Sequence, residues 1–299
     1  MYYKSRIMAA RASFEDEAAA AANNFKKKFA EIVEEEGYSS HQVFNTDETT
    51  LFWKTMPMKD RLSLLMCANA SGDCKIKPML VYHSENPRAF QENQVVKSEL
   101  PVMWKSNTKA WVNRNLFMDW MHEVFAPSVR KYLEEKGLPV KCLLLLDNAP
   151  AHPPSLEEEL QGDLEFIKVK FLPPNTSPLL QPMDQQVIAS FKKQYVLSFF
   201  TWCHNVIYEY DTGLTFRDYL KNYYNIFHCI HLIEEAWDEV TSRTLRGAWR
   251  NLWPWPSCIN DFGRIHGQED TFIQEIITMG QYMGLQMERD DVEEIIADI

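Results

Sequence analysis

Three aspartates occupy positions where a chain can deliver carboxylates to one shared edge: Asp47 in FNTDET, Asp147 in LLLLDNAPAH and Asp184 in LLQPMDQQVI. Each is read as falling at the end of a strand or the start of a helix. Open α/β sheets present their sites beyond the carboxyl ends of strands, so these side chains can converge although 99 and 36 residues intervene. Three carboxylates held together repel one another and stay ionised together only beside a cation. Carboxylate oxygens and water suit Mg²⁺ or Mn²⁺. Two such ions roughly 3.5 to 4 Å apart would clamp the attacking and leaving oxygens of an in-line phosphoryl displacement. The spacing by itself leaves a plainer reading open, because 42 acidic residues offer many triples and most carboxylates lie on solvated faces.

The elements that must position these residues follow from the periodicity. Residues 43–46, 62–68 and 76–83 are short β-rich runs parted by turn signals such as Ser71-Gly72-Asp73, and they predict three antiparallel strands. Residues 140–146 (VKCLLLL) form a continuous apolar run, as a strand covered on both faces requires, and lead straight into Asp147. A short acidic helix at 155–161, a strand at 164–172 and a proline-rich loop at 173–182 then predict a long helix beginning near Met183. Residues 115–136 carry helical spacing interrupted at Pro127, and a leader helix is predicted from Ser13 to the stop at Gly37. This order is that of a mixed α/β sheet flanked by helices, with a helical extension after it.

Net charge is −11, which argues against a nucleic-acid partner until its distribution is considered. Residues 261–299 hold ten acidic and two basic side chains, so the first 260 residues carry only −3. The acidic tail is partly amphipathic through Phe272, Ile276, Ile277, Met283 and Leu285, as for a protein partner or for docking onto the chain itself. The six cysteines include no CxxC pair, and Cys203, His204, His228, Cys229 and His231 fit no common zinc spacing, so these residues are assigned to packing in a reducing compartment. No apolar run reaches the length of a membrane span, and no membrane partner is expected.

Beyond the three aspartates, several neighbours carry both a functional and a structural reading. Asn148 either contacts a phosphate or serves ordinary turn chemistry, and His152 is either an outer support of a metal site or a satisfied loop histidine. Lys192 and Lys193 lie about two helical turns past Asp184, where a cation meets a phosphate or simply faces water.

The blocks FNTDETTLFWK, LLLLDNAPAHPPSL and FLPPNTSPLLQPMDQQVI resemble the three catalytic blocks of the DDE endonuclease domain of pogo/Tigger transposases, in the group that includes jerky and centromere protein B. The resemblance implies a ribonuclease H-like fold, a mixed five-stranded sheet flanked by helices with a C-terminal helical extension. It implies that Asp47, Asp147 and Asp184 are catalytic and hold two Mg²⁺ or Mn²⁺ ions. Glu48 then either supports the metal shell or stands as an exposed carboxylate. The implied reaction is metal-dependent cleavage of DNA by water, followed by attack of the freed 3′ hydroxyl on target DNA, in the nucleus. The alternative is a domesticated, noncatalytic DNA- or protein-binding module.

On this reading residues 1–40 are a linker and leader helix, 41–210 the endonuclease domain, 211–260 the helical extension and 261–299 the acidic tail. Helix-turn-helix domains that open other family members are expected to be missing here. The segment joining the first two strands is shorter than usual, yet the hairpin is expected to close. Gln186 stands where the family has Gly, and a helix is expected to tolerate it better.

Overall fold

The computed structural model describes residues 2–54, 60–152, 155–209, 213–254 and 266–298. Its centre is a mixed six-stranded sheet in the order β4-β3-β2-β1-β5-β6. β1 (Val43–Lys54), β2 (Asp60–Asn69) and β3 (Lys75–Tyr82) form an antiparallel meander. β4 (Met103–Ser106) runs parallel to β3, while β5 (Cys142–Leu146) and β6 (Ile167–Phe171) run parallel to β1. The mixed α/β sheet flanked by helices holds, with one strand more than the five expected. β4 escaped the sequence reading because four residues bounded by Pro101 and Asn107 are too few to show a period.

β1 is also longer than expected. It pairs with β2 from Phe44 opposite Asn69 to Lys54 opposite Asp60, so the hairpin closes although residues 55–59 lie outside the described set. Asp47 consequently sits in the middle of a strand, opposite Met66, and not at a strand end. The acidic pair Asp47-Glu48 breaks the apolar pattern without breaking the ladder, which the β-prone run from Thr49 to Trp53 continues.

Alternation along β1 divides its side chains between two faces. Val43, Asn45, Asp47, Leu51 and Trp53 share the first; Phe44, Thr46, Glu48, Thr50 and Phe52 share the second. The second face is covered by α2 (Arg114–Trp120) and α3 (Ala126–Glu135), which bury Phe117, Trp120, Val129 and Leu133 against Phe44, Leu65 and Leu144. Between them Met121–Phe125 forms one turn of π-helix, which absorbs the missing N–H of Pro127.

The first face carries two layers of helix. α1 (Tyr2–Glu35) begins eleven residues ahead of the expected start at Ser13 and lays Phe25, Phe29 and Val33 against Leu143, Leu145 and Trp249. α4 (Ile188–His204) and α5 (Ile226–Glu239) cover Leu51, Leu62, Leu64 and Leu80. The acidic tail joins the same core: α6 (His266–Tyr282) and α7 (Arg289–Asp298) pack on α4 and bury Ile273, Ile276, Met283 and Val292. Of the two roles the amphipathic pattern allowed, its apolar face serves intramolecular docking. Asp270, Glu275, Asp290, Asp291, Glu293 and Glu294 remain exposed. No described helix is long and apolar enough to cross a membrane.

Cys203 and Cys229 are buried without disulfides, and His228 caps the start of α5 together with Asn225, so these residues pack as expected.

Candidate metal centre

A pair of buried amides brings the third aspartate to the first. Asn45 lies two residues before Asp47 on the same face of β1 and is fully buried. Its Nδ2 donates to Gln181 Oε1 at 2.7 Å and to the Leu145 carbonyl at 3.1 Å, and its Oδ1 accepts from Met183 N at 2.9 Å. Gln181 Nε2 returns a bond to the Thr46 carbonyl at 3.3 Å. The loop that carries Asp184 is thereby fastened to β1 and to the end of β5. Sequence reasoning placed Gln181 in this loop but missed Asn45, whose signal is a lone amide on the face of β1 that otherwise feeds the core.

Asp184 lies in Met183–Val187, a kinked turn entering α4. Gln185 and Gln186 leave helical geometry there, and Gln186 has φ +75°. The expectation that a helix would favour Gln over Gly at this position is therefore overturned. The residue sits in the left-handed region, where a Cβ is strained and Gly is not.

The electrostatics record how close the carboxylates are. Asp47 is held well above its ordinary value, by burial first and then by the charges of Asp184, Glu48 and Asp147. Asp184 is also raised, by burial and by Asp147, against a hydrogen bond with Asp47 that lowers it. Burial and mutual repulsion thus favour the neutral form at this pair. Asp147 behaves differently: burial raises it, but bonds from His152 Nδ1 at 2.9 Å and Ala149 N at 3.1 Å bring it below its ordinary value.

On the opposite face of β1, Glu48 Oε1 stands 3.2 Å from His152 Nε2. Burial would lower the imidazole, yet Asp147 and Glu48 outweigh it and push the group up to about 10, so His152 is a cation at neutral pH. The approach to Glu48 is poorly aligned, which leaves Glu48 Oε1 and His152 Nε2 buried without a formed hydrogen bond. Glu48, Asp147 and His152 each offer a ligand atom within 4.8 Å of the others.

These residues fit a divalent cation. The donors are hard oxygens, and the burial and repulsion that raise Asp47 and Asp184 are what a divalent cation would relieve. The Glu48 side already holds its own positive charge, so the uncompensated side is that of Asp47 and Asp184.

The remaining sequence candidates fall around this centre unevenly. Asn148 Nδ2 donates to the Leu172 carbonyl and so ties the end of β5 to the end of β6. Lys192 and Lys193 lie on the second turn of α4, beyond the kink that carries Asp184. Lys192 is half-buried, which lowers its pKa, and it makes no ion pair with the three aspartates.

The family model described as "DDE superfamily endonuclease" matches residues 59–249, nearly two thirds of the chain. The chain belongs to this family. The matched DDE region contains Asp147 and Asp184 and begins downstream of Asp47, whose place in the centre rests on the geometry. The human Jerky protein homolog is 36% identical over 250 residues, covering 78% of this chain and 41% of the relative. Human Tigger transposable element-derived protein 7 is 35% identical over 256 residues, covering 76% of this chain and 45% of the relative. This DDE chain thus spans about two fifths of the curated relatives it matches. A solved structure of the catalytic domain of Mos1 mariner transposase is 17% identical, covers 75% of this chain and 92% of that one, and superposes with a TM-score of 0.36.

Proposed function

We propose that this domain is a DNA endonuclease in which Asp47, Asp147 and Asp184 hold two Mg²⁺ or Mn²⁺ ions. The observation that carries the reading is the fastening of the Asp184 loop to β1 beside Asp47 through Asn45, Gln181 and Met183, with burial and mutual charge raising Asp47 and Asp184. Bound ions supply an activated water and neutralise charge on the phosphoryl oxygens. Asp47 would bind as its ionised carboxylate, the form that a nearby cation favours. His152 and the Ala149 N–H hold the Asp147 carboxylate ionised and in one orientation. Glu48 steadies His152 from the far side, and Asn148 fixes the strand end that presents Asp147. Lys192 and Lys193 are assigned to phosphate contacts farther along α4. No side chain acts as a nucleophile.

Strand transfer by the freed 3′ hydroxyl and a nuclear location are part of the same proposal, supported by the likeness to a transposable element-derived protein and to jerky proteins. A protein partner, if it uses the tail, meets the exposed acidic side of α6 and α7, since the apolar side is already covered.

The test is calorimetric titration of Mg²⁺ and Mn²⁺ into the chain and into Asp147→Ala, followed by incubation of both with supercoiled plasmid. Binding and nicking by the native chain, both abolished in Asp147→Ala, are expected. Metal binding without nicking assigns the noncatalytic alternative, and absence of metal binding overturns the centre itself.

A further inference from the structure

On the second face of β1, beyond Glu48, the hairpin continues as a strip of Thr50 and Phe52 on β1 beside Ser63 and Arg61 on β2. Residues 107–113, which join β4 to α2, cross this strip at its far end. The crossing is tightly built. Asn107 N donates to the Tyr82 carbonyl at 3.0 Å, and Asn107 Oδ1 accepts from Lys109 N and Trp111 N at 3.1 and 3.2 Å. Asn107 Nδ2 closes the turn on the Trp111 carbonyl at 2.6 Å. Two bonds from β2 clamp it down: Ser63 Oγ to the Ala110 carbonyl at 2.7 Å and Arg61 Nη2 to the Lys109 carbonyl at 3.0 Å. Ala110 is held at φ +51°, a conformation an L-residue adopts at a cost.

The product of this construction is an exposed indole. Trp111 is 55% exposed although its neighbours Ala110 and Phe117 are buried. The Arg61 guanidinium lies over one side of its ring, 5.4 Å from the centroid, and no carboxylate pairs with Arg61 among the described residues. Lys109 is exposed beside it. A flat ring free on one side, backed by unpaired positive charge, is the chemistry that receives a base with its phosphate. Arg61 stands opposite Phe52, four strand residues past Glu48 and five past Asp47, roughly 13 to 17 Å along β1 from the acidic pair, and on the Glu48 face of the sheet. That span is about four nucleotide steps at ~3.4 Å each.

We infer that Trp111 and Arg61 form a stacking platform for the DNA strand leaving the metal centre, with a base on the open side of the indole and phosphates at Arg61 and Lys109. This rests on the endonuclease reading for the identity of the strand, and it adds a contact that the three aspartates do not supply.

The test measures anisotropy of a labelled duplex bearing a single-stranded flank, bound to the full chain in EDTA across a salt series. Trp111→Ala is expected to weaken binding about tenfold, and Trp111→Phe to stay within about threefold of the native chain. Arg61→Gln is expected to reduce the slope of log affinity against log salt by about one. Trp111→Ala within twofold of the native chain overturns the platform, as does Trp111→Phe falling as far as Trp111→Ala. A native chain that binds neither flanked nor blunt duplex overturns it as well. Trp111-dependent binding in a chain that never nicks plasmid upholds the platform and removes the cleavage reading alone.

Discussion

On one face of β1, Asp47 meets Asp184, and burial with mutual repulsion raises both carboxyls. On the other, Glu48 and Asp147 close on the buried imidazole of His152, which carries the positive charge itself. Asp147 belongs to both. The same density of carboxylate is thus met in two ways, by a buried imidazole on one side and by raised carboxyls on the other. A site that must take up metal needs the second arrangement, since a resident imidazolium would have to be displaced first. Adjacent residues on one strand reach these opposite fates because alternation turns Asp47 toward the α4 layer and Glu48 toward the α2 layer.

Neutralising the two carboxyls one at a time tests this division directly. Asp47→Asn is expected to lower Mg²⁺ or Mn²⁺ affinity by about a hundredfold or more, whereas Glu48→Gln, acting through His152, is expected to lower it about tenfold or less. Titration calorimetry in two buffers of different ionisation enthalpy reads a second consequence. The native chain releases a proton on binding metal, and Asp47→Asn releases correspondingly fewer. Equal losses of affinity in the two variants would mean that the ion lies on the Glu48 side, or astride β1.

The imidazolium face is sharpened by pH. His152 is raised from 6.5 to about 10 in the folded chain, so its contribution to stability is complete below pH 6.5 and is lost as pH rises toward 10. Asp47, also raised, adds to the loss from lower pH, so the difference between the native chain and His152→Gln isolates the histidine. In EDTA, His152→Gln is expected to be less stable at pH 6 by on the order of 3 kcal/mol. The gap should narrow steadily through pH 9, as followed by denaturant midpoint. A gap that stays constant with pH would show that His152 contributes packing against Phe117 and not charge.

What the sequence disclosed of this centre divides along the same line. The strand order was legible because residues 43–46, 62–68 and 140–146 carry strong β patterns, and the three aspartates stood in blocks distinctive enough to be singled out. The extension of β1 through Asp47 and Glu48 was hidden, since two adjacent carboxylates read as the end of a strand. Asn45 was hidden for a related reason: its partners Gln181, Leu145 and Met183 lie at least 100 residues away, and an amide pair spanning that distance leaves no local period. The docking of α6 and α7 was legible as an amphipathic stripe, but which surface would receive it depended on the exposed flank of α4.

The smallest effect concerns the turn that presents Asp184 to Asp47. Gln186 occupies the left-handed region at φ +75°, two residues past the aspartate, in a turn fastened to Asn45 through Gln181 and Met183. A Cβ in that region costs about 1 to 2 kcal/mol, and Gly relieves it while adding freedom to the unfolded chain worth about 0.5 to 1 kcal/mol. Gln186→Gly is therefore expected to stabilise the chain by about 0.5 to 1 kcal/mol, read as a higher urea midpoint with an unchanged slope. Gln186→Ala keeps the Cβ and should gain nothing. If the strain is confined to this residue, metal affinity will stay within about twofold in Gln186→Gly. If it instead presses Asp184 toward Asp47, relieving it will lower the proton release on metal binding, and the upward shift of Asp47 would then owe part of its origin to the backbone of the turn.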